Sequence, residues 1–185
     1  NPRASLLLAL TGAGLHTLTS GLLLYHVHLN GILATQIGNW PAPFGITLVA
    51  DHLSALMVMI TAIVNLAVTS YSKADIDAAL IGRGYYPLLQ MLVCGICGAF
   101  LTGDIFNLYV WFEVILMASF GLLVMGRSPG RLTGGVKYVT VNLISTLFFI
   151  TAIGLIYGLT GTLNMADLHA KAAGVENTAL LAATA

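Results

Sequence analysis

The run from Thr102 to Met125, TGDIFNLYVWFEVILMASFGLLVM, constrains the fold of this chain more than any other stretch. Beyond its opening turn it is apolar and aromatic, long enough to cross a bilayer, and interrupted by one carboxylate, Glu113. If a helix begins near Ile105, eight residues at about 1.5 Å each put Glu113 roughly 12 Å into a hydrocarbon layer of about 30 Å. An ionised side chain near the midplane costs on the order of 2.5 to 3.5 kcal/mol on insertion scales. Acids at that depth therefore face a bundle interior or a wet cavity and serve ion or proton transfer. Glu113 is the first functional candidate. The alternative, a protonated glutamate hydrogen-bonded to a neighbouring helix purely for packing, stays open at this point.

The rest of the composition fits that reading. Hydrophobic residues make up 58% of the 185 and charged residues 8%, against roughly 45–50% and 25% for a soluble domain, and the mean hydropathy is +0.92. The expectation is an all-α protein, a polytopic transmembrane helix bundle forming a single membrane domain over residues 1–185. Net charge is zero and no basic run occurs, so nothing recommends nucleic acid as a partner. The chain opens at Asn1 and closes in TALLAATA, an apolar run just beginning, which reads as a fragment of a longer protein.

Hydropathy and breakers divide the sequence into five complete spans, about 4–25, 51–71, 85–101, 105–125 and 134–157, with a further one starting at 178. The first carries small or hydroxylated residues (Thr11, Gly12, Gly14, Thr17, Ser20, Gly21) that let helices approach closely. A basic residue before an apolar run also suits a signal peptide, but this run is long, lacks a small-x-small cleavage pattern and has further spans behind it. Residues 26–44 read as an extramembrane loop, with Trp40 and Phe44 as interfacial anchors. His26 and His28, two apart, would share one face of a strand, but without a third ligand in reach they are solvated or interfacial histidines and not a metal site.

Asp51 precedes the second span and Asp104 the fourth. Each is placed to cap its helix, accepting from the first free N–H groups and complementing the dipole. Asn65, deeper in the second span, reads as an interhelical hydrogen bond in preference to a ligand site. Residues 72–84 read as a short polar loop. The Thr102–Gly103–Asp104 turn is so tight that the fourth span must return antiparallel beside the third. Cys94 and Cys97 form a CxxC, but inside a span and without a second pair the thiols act as small apolar residues, so no cofactor is expected. Gly95, Gly98 and Ala99 offer a small-residue face for the Glu113 helix. In the fifth span, Lys137 is shallow enough to snorkel to the interface and equally a candidate for supporting charge transfer. Tyr138, Asn142, Ser145 and Phe149 follow at helical spacing, which suggests a wet or hydrogen-bonded seam.

Positive charge sets the orientation. Arg3, Lys73, Arg83, Arg127, Arg131 and Lys137 fall on one side and only Lys171 on the other, so the N-terminus is expected in the cytoplasm and the Gly103–Asp104 turn outside.

Four segments, GNWPAPFGITLVADHLSALMV, GAFLTGDIFNLYVWFEVILMASFGLLV, GVKYVTVNLIS and YGLTGTLNMADL, resemble consecutive signatures of the antiporter-like membrane subunits, and among these the D-type subunits of Mrp-type Na⁺/H⁺ antiporters. The wider family takes in proton-pumping membrane subunits of respiratory complex I and of membrane-bound hydrogenases. The resemblance covers about residues 32–168 and is most specific in TGDIFNLYVWFE. It implies about fourteen helices in two inverted five-helix repeats, with a glutamate in the fifth helix that pairs with a lysine in the seventh. Glu113 takes the place of that glutamate, and Lys137 sits where the family often carries a lysine near the proton path. The partner lysine would lie past residue 185. At His52, after Asp51, the family pattern has an arginine.

The resemblance further implies proton movement coupled to sodium export, other subunits of a hetero-oligomeric complex as partners, and a cell (plasma or inner) membrane location. A relay follows from general charge chemistry: burial disfavours an ionised carboxyl and a nearby cation favours it, so a lysine moving toward or away from one switches it between proton release and uptake. Three classes remain, a cation/proton antiporter subunit, a proton-pumping subunit of a redox enzyme, and a structural subunit without transport.

Overall fold

A computed structural model describes residues 2–126 and 128–172. Among these residues seven α-helices and one β-hairpin succeed one another: α1 (Pro2–Asn30), β1 (Leu33–Gln36), β2 (Thr47–Ala50), α2 (His52–Asp75), α3 (Ala78–Gly82), α4 (Tyr85–Leu101), α5 (Ile105–Val124), α6 (Pro129–Thr160) and α7 (Met165–Ala172). Among the described residues α1, α2, α5 and α6 are long and apolar enough to cross a membrane. With 17 residues, α4 rises about 25 Å, at the lower end of what spans a hydrocarbon layer. The long helices pack in order, α1 on α2, α2 on α4, α4 on α5 and α5 on α6, with α1 also touching α4.

Local chemistry sets the helix ends. The Asp51 carboxylate accepts from the Ser54 N–H at 2.7 Å while Ser54 Oγ accepts from the Asp51 N–H at 2.8 Å, a reciprocal capping box that satisfies two donors at the start of α2. Asp104 accepts from the Asn107 N–H at 2.8 Å and starts α5. Ser128 caps α6, whose first residue is Pro129, and the helix stops at Gly161 in the left-handed region at φ 68°. At the C-terminal end of α5, Arg83 donates to the Met125 carbonyl at 3.1 Å, a cation where the helix dipole is negative.

Small residues let α4 and α5 close up. A Cβ on Gly95 would stand 2.8 Å from Ile115 Cγ1, and one on Gly98 would stand 2.2 Å from the Trp111 ring. Polar pairs join α4 to α2. The Asn65 and Gln90 amides bond each other in both directions, at 3.1 and 3.3 Å, and Thr69 adds a third bond to Asn65 at 3.3 Å.

Several sequence boundaries move. α1 runs to Asn30, so His26 and His28 lie on a helix and not a strand, about 200° apart around its axis and on different faces. His28 meets His52 edge-on at 6.3 Å. Among the described residues no group of three or more His, Cys, Asp or Glu is arranged to hold a metal ion. The stretch read as loop after the first span folds in part as an antiparallel hairpin pairing Leu33 with Ala50 through Gln36 with Thr47. Its strands have four residues each, too short for their alternation to stand out against apolar neighbours. The polar stretch 72–84 contains the end of α2 and the short α3, and the loop after residue 160 contains α7. α6 starts at Pro129, five residues before the expected boundary, because the Ser128 cap and Pro129 outrank the polar character of its first turn. The span expected from residue 178 lies outside the described residues.

One end of the bundle is clasped by backbone pairing. The Gly103 N–H donates to the Thr47 carbonyl at 2.8 Å, Met165 N–H to Gly103 at 2.9 Å, and Ile105 N–H to Leu163 at 2.9 Å. Asn164 Nδ2 donates to Thr47 Oγ1 at 2.8 Å, which in turn donates to Gln36 Oε1 at 2.9 Å. The hairpin, the α4–α5 turn and the α6–α7 link thereby become one rigid cap over the helix ends. Gly103 is needed there, since a Cβ would stand 2.8 Å from Val49 Cγ2 and 3.2 Å from the Thr47 carbonyl.

Candidate functional site

Glu113 is the ninth residue of α5, roughly 12 Å along the helix from Ile105. It is half-buried and turned toward α6, where Thr146 Oγ1 donates to its Oε1 at 2.7 Å. That is an ordinary length for a hydroxyl donor on a carboxyl oxygen, and it fixes the carboxyl group against α6.

Around the carboxyl group is a cavity of about 340 Å³ between α5 and α6, lined from α6 by Tyr138, Asn142, Ser145, Thr146 and Phe149. Tyr138, Asn142, Ser145 and Phe149 recur at intervals of three or four, one face of a helix, so the polar stripe and the carboxyl group open into the same space. At the end nearer the α6 N-terminus, the Tyr138 hydroxyl and Ser119 Oγ lie 2.9 Å apart and link the two helices. At the other end the ring of Phe149 meets Tyr109 and Phe112 edge-on, at 6.0 and 6.2 Å. Asn142 and Ser145 spend a donor each on the carbonyls one turn back, at 2.8 and 3.2 Å. Their oxygens remain as acceptors inside the cavity, so the space can hold water and pass protons along hydroxyl, amide and carboxyl groups.

Thr146 was not legible as the direct partner. The signal was present, because it falls four residues after Asn142 and eight after Tyr138, on the same stripe. A threonine in an apolar helix usually bonds its own backbone, which is why it did not stand out. Lys137 is exposed and does not line the cavity. It lies nine residues before Thr146, roughly 13 Å of helix rise away, so the described residues do not bring it to Glu113. Asp51 and Asp104 act at the helix starts described above, at the clasped end of the bundle. Of the two cysteines, Cys97 is half-buried with its Sγ 3.4 Å from His16 Nε2, and Cys94 is exposed.

Comparison with known proteins bears on the chain as a whole. Residues 102–184 match a family described as NADH:quinone oxidoreductase/Mrp antiporter, TM. The D subunit of a probable K⁺/H⁺ antiporter from Rhizobium meliloti (strain 1021) is 52% identical over 141 residues, covering 76% of this chain and 26% of the relative. The D subunit of the Na⁺/H⁺ antiporter from Bacillus subtilis (strain 168) is 42% identical over 162 residues, covering 88% and 33%. Among solved structures, a chain of the Mrp complex from Dietzia sp. DQ12-45-1b superposes with a TM-score of 0.88 at 31% identity, over 99% of this chain and 34% of that one. A chain of the membrane-bound sulfane sulfur reductase, an archaeal respiratory membrane complex, superposes with a TM-score of 0.89 at 29% identity, over 95% and 36%. This chain thus spans about a quarter to a third of the length of these relatives.

Proposed function

Because this chain belongs with the antiporter-like membrane subunits and is a multi-pass membrane protein, we propose that it forms part of a monovalent cation/proton antiporter subunit in which Glu113 carries protons. The observation that supports this reading is the position of Glu113: a single carboxyl group at mid-membrane depth, turned into a polar cavity between α5 and α6 and held by Thr146 at 2.7 Å. An acid kept only for packing has no use for a lined cavity with unused acceptors around it.

In this account the carboxyl group takes up and releases a proton through water in the cavity, with Tyr138, Asn142 and Ser145 holding that water in line. The Thr146 hydroxyl donates to the carboxyl group and holds it oriented in the cavity. Lys137, one residue before Tyr138 and exposed, stands at the mouth of the stripe on the Arg131 side, where its charge would bias protons entering or leaving. Na⁺ or K⁺ is the counter-cation, as in the names of the relatives. The reading also includes further subunits of a hetero-oligomeric complex, residence in the plasma or inner membrane, and a cytoplasmic N-terminus, which follows from the charge bias of the loops. Transport by conformational and protonation changes, without covalent chemistry, is its mode of action.

The experiment is pH-gradient dissipation in everted vesicles carrying the full-length subunit in its complex, after addition of Na⁺ or K⁺. Exchange driven by at least one of these ions, partly retained in Glu113→Asp, supports the reading. A complex that assembles but dissipates no gradient with either cation refutes antiport and favours the respiratory branch of the family, whose structure this chain also matches.

A further inference from the structure

Two connecting segments bring arginines to the same end of α5. Arg83, in the link from α3 to α4, donates from Nη1 to the Met125 carbonyl at 3.1 Å. Arg131, in the first turn of α6, lies against the next residue of the chain. A Cβ on Gly126 would stand 2.1 Å from its Nη1 and 2.9 Å from its Cζ. Both guanidinium groups are thus within a few ångströms of the peptide that joins Met125 to Gly126, and both side chains are exposed.

Their charge is not answered by the protein there. The C-terminal end of the α5 dipole amounts to about half a negative charge, against two full positive ones. Neither arginine is paired with a carboxylate among the described residues. A guanidinium has five N–H donors. Arg83 spends one on Met125, and the Arg131 guanidinium bonds no acceptor among the described residues. The segments at this end of the bundle carry Arg3, Lys73, Arg83, Arg127, Arg131 and Lys137 against Asp75 and Asp77. Two like charges so close repel each other unless an anion lies between them.

The neighbouring surface says what kind of anion. Leu123 in the last turn of α5, and Leu132 and Val136 one turn apart near the start of α6, are exposed at 41%, 59% and 58%. A soluble anion has no use for them, whereas an amphiphile meets both the cations and the apolar side chains. We propose that Arg83 and Arg131 form a headgroup site for an anionic phospholipid, which takes its phosphate on the two guanidinium forks and lays its chains along Leu123, Leu132 and Val136. Arginine suits this role because its planar fork matches phosphate with two parallel hydrogen bonds. Anionic lipids are concentrated in the cytoplasmic leaflet, the side this end is expected to face, and basic pockets between helices there bind their headgroups. Since α5 carries Glu113 and α6 the polar stripe opposite, a bound headgroup would fasten the two helices together at this end.

The test uses the full-length subunit in its complex, in nanodiscs of phosphatidylcholine with a minor share of phosphatidylglycerol, and reads the retained lipid by native mass spectrometry. Wild type should keep phosphatidylglycerol in preference to phosphatidylcholine, and Arg131→Ala should weaken that binding about fivefold. Arg131→Lys keeps the charge but not the fork, and should fall between the two. Lys73→Ala removes the same charge from α2 and should bind as wild type does. Equal retention of the two lipids overturns the site. So does a loss in Lys73→Ala as large as in Arg131→Ala, or wild-type binding in Arg131→Lys, since either reduces the patch to diffuse charge. Displacement of the lipid by millimolar inorganic phosphate, or a carboxylate of the complex found between the two guanidinium groups, overturns the lipid as occupant. Arg83→Ala also removes a contact that caps α5, so Arg131→Ala, which breaks no hydrogen bond of its guanidinium to the described residues, is the deciding variant.

Discussion

Gly98→Ala is the sharpest probe of how α4 and α5 fit. An added Cβ would lie 2.2 Å from Trp111 Cδ2, 2.3 Å from Cε2 and 2.6 Å from Cε3. Ordinary carbon contacts begin near 3.5 Å, so the indole or the whole helix has to retreat by more than about 1 Å. Overpacking of this kind costs about 1–3 kcal/mol, and a rigid bicyclic ring flat against the site puts Gly98 at the upper end. Alanine recovers up to about 1 kcal/mol of helix propensity, which leaves a net loss of roughly 2 kcal/mol. Gly95→Ala should cost less, because its nearest neighbour at 2.8 Å is Ile115 Cγ1, a side-chain atom that can turn aside, although the Ile115 backbone nitrogen at 3.2 Å limits the relief. Gly14→Ala has nothing within 4 Å and should be neutral or slightly stabilising. The assay is equilibrium unfolding of the full-length subunit in mixed micelles by SDS titration. Trp111→Phe in the Gly98→Ala background should recover part of the loss, since the smaller ring makes room, and the two changes should be clearly non-additive. If Gly98→Ala is as stable as Gly14→Ala, or its cost is unchanged by Trp111→Phe, the close packing of α5 on Gly98 is wrong.

Three further outcomes follow from other contacts. A double-mutant cycle with Asn65→Ala and Gln90→Ala in the same unfolding assay should give a coupling of about 1 kcal/mol, two bonds at the roughly 0.6 kcal/mol typical of membrane helices, and zero coupling would remove the amide pair from the account. The backbone N–H and side chain of Ser54 hold the Asp51 carboxyl below its ordinary range. Its capping contribution should therefore be full above the usual carboxylate pKa, fade as pH falls through the lowered value, and amount to about 1 kcal/mol at neutral pH in Asp51→Ala. Asp51→Asn should keep most of the cap and lose its pH dependence, and a pH-independent difference between wild type and Asp51→Asn counts against this. For orientation, Ser128→Cys should react with an impermeant thiol reagent from the cytoplasmic side and Phe44→Cys from outside, and the reverse pattern would invert the topology.

How much of this was legible without coordinates depends on which forces acted locally. Asp51 and Asp104 announce helix starts because capping is settled within four residues, and the long spans follow from hydropathy alone. The stripe of Tyr138, Asn142, Ser145 and Phe149 could be read from spacing, but its meeting with Glu113 could not, since nothing in the sequence fixes the rotation of α6 against α5. Thr146 stayed hidden among threonines that bond their own helices. His16 was passed over because a lone histidine in an apolar run carries no pattern, and only the packing of α1 against α4 sets it beside Cys97. The hairpin was missed because its backbone pairing with the α4–α5 turn and the α6–α7 link, not its own alternation, holds it in place.

The central claim is that Glu113 moves protons, and one substitution isolates it. Glu113→Gln keeps the side-chain volume and an acceptor for Thr146 Oγ1 but has no exchangeable acid proton. In everted vesicles carrying the full-length complex, with subunit levels verified by blotting, the account predicts normal assembly and near-complete loss of cation-driven dissipation of the pH gradient. Glu113→Asp, which still titrates one methylene further from Thr146, should retain part of it. Near-normal exchange in a well-assembled Glu113→Gln complex would contradict the claim and leave Glu113 as a packing residue.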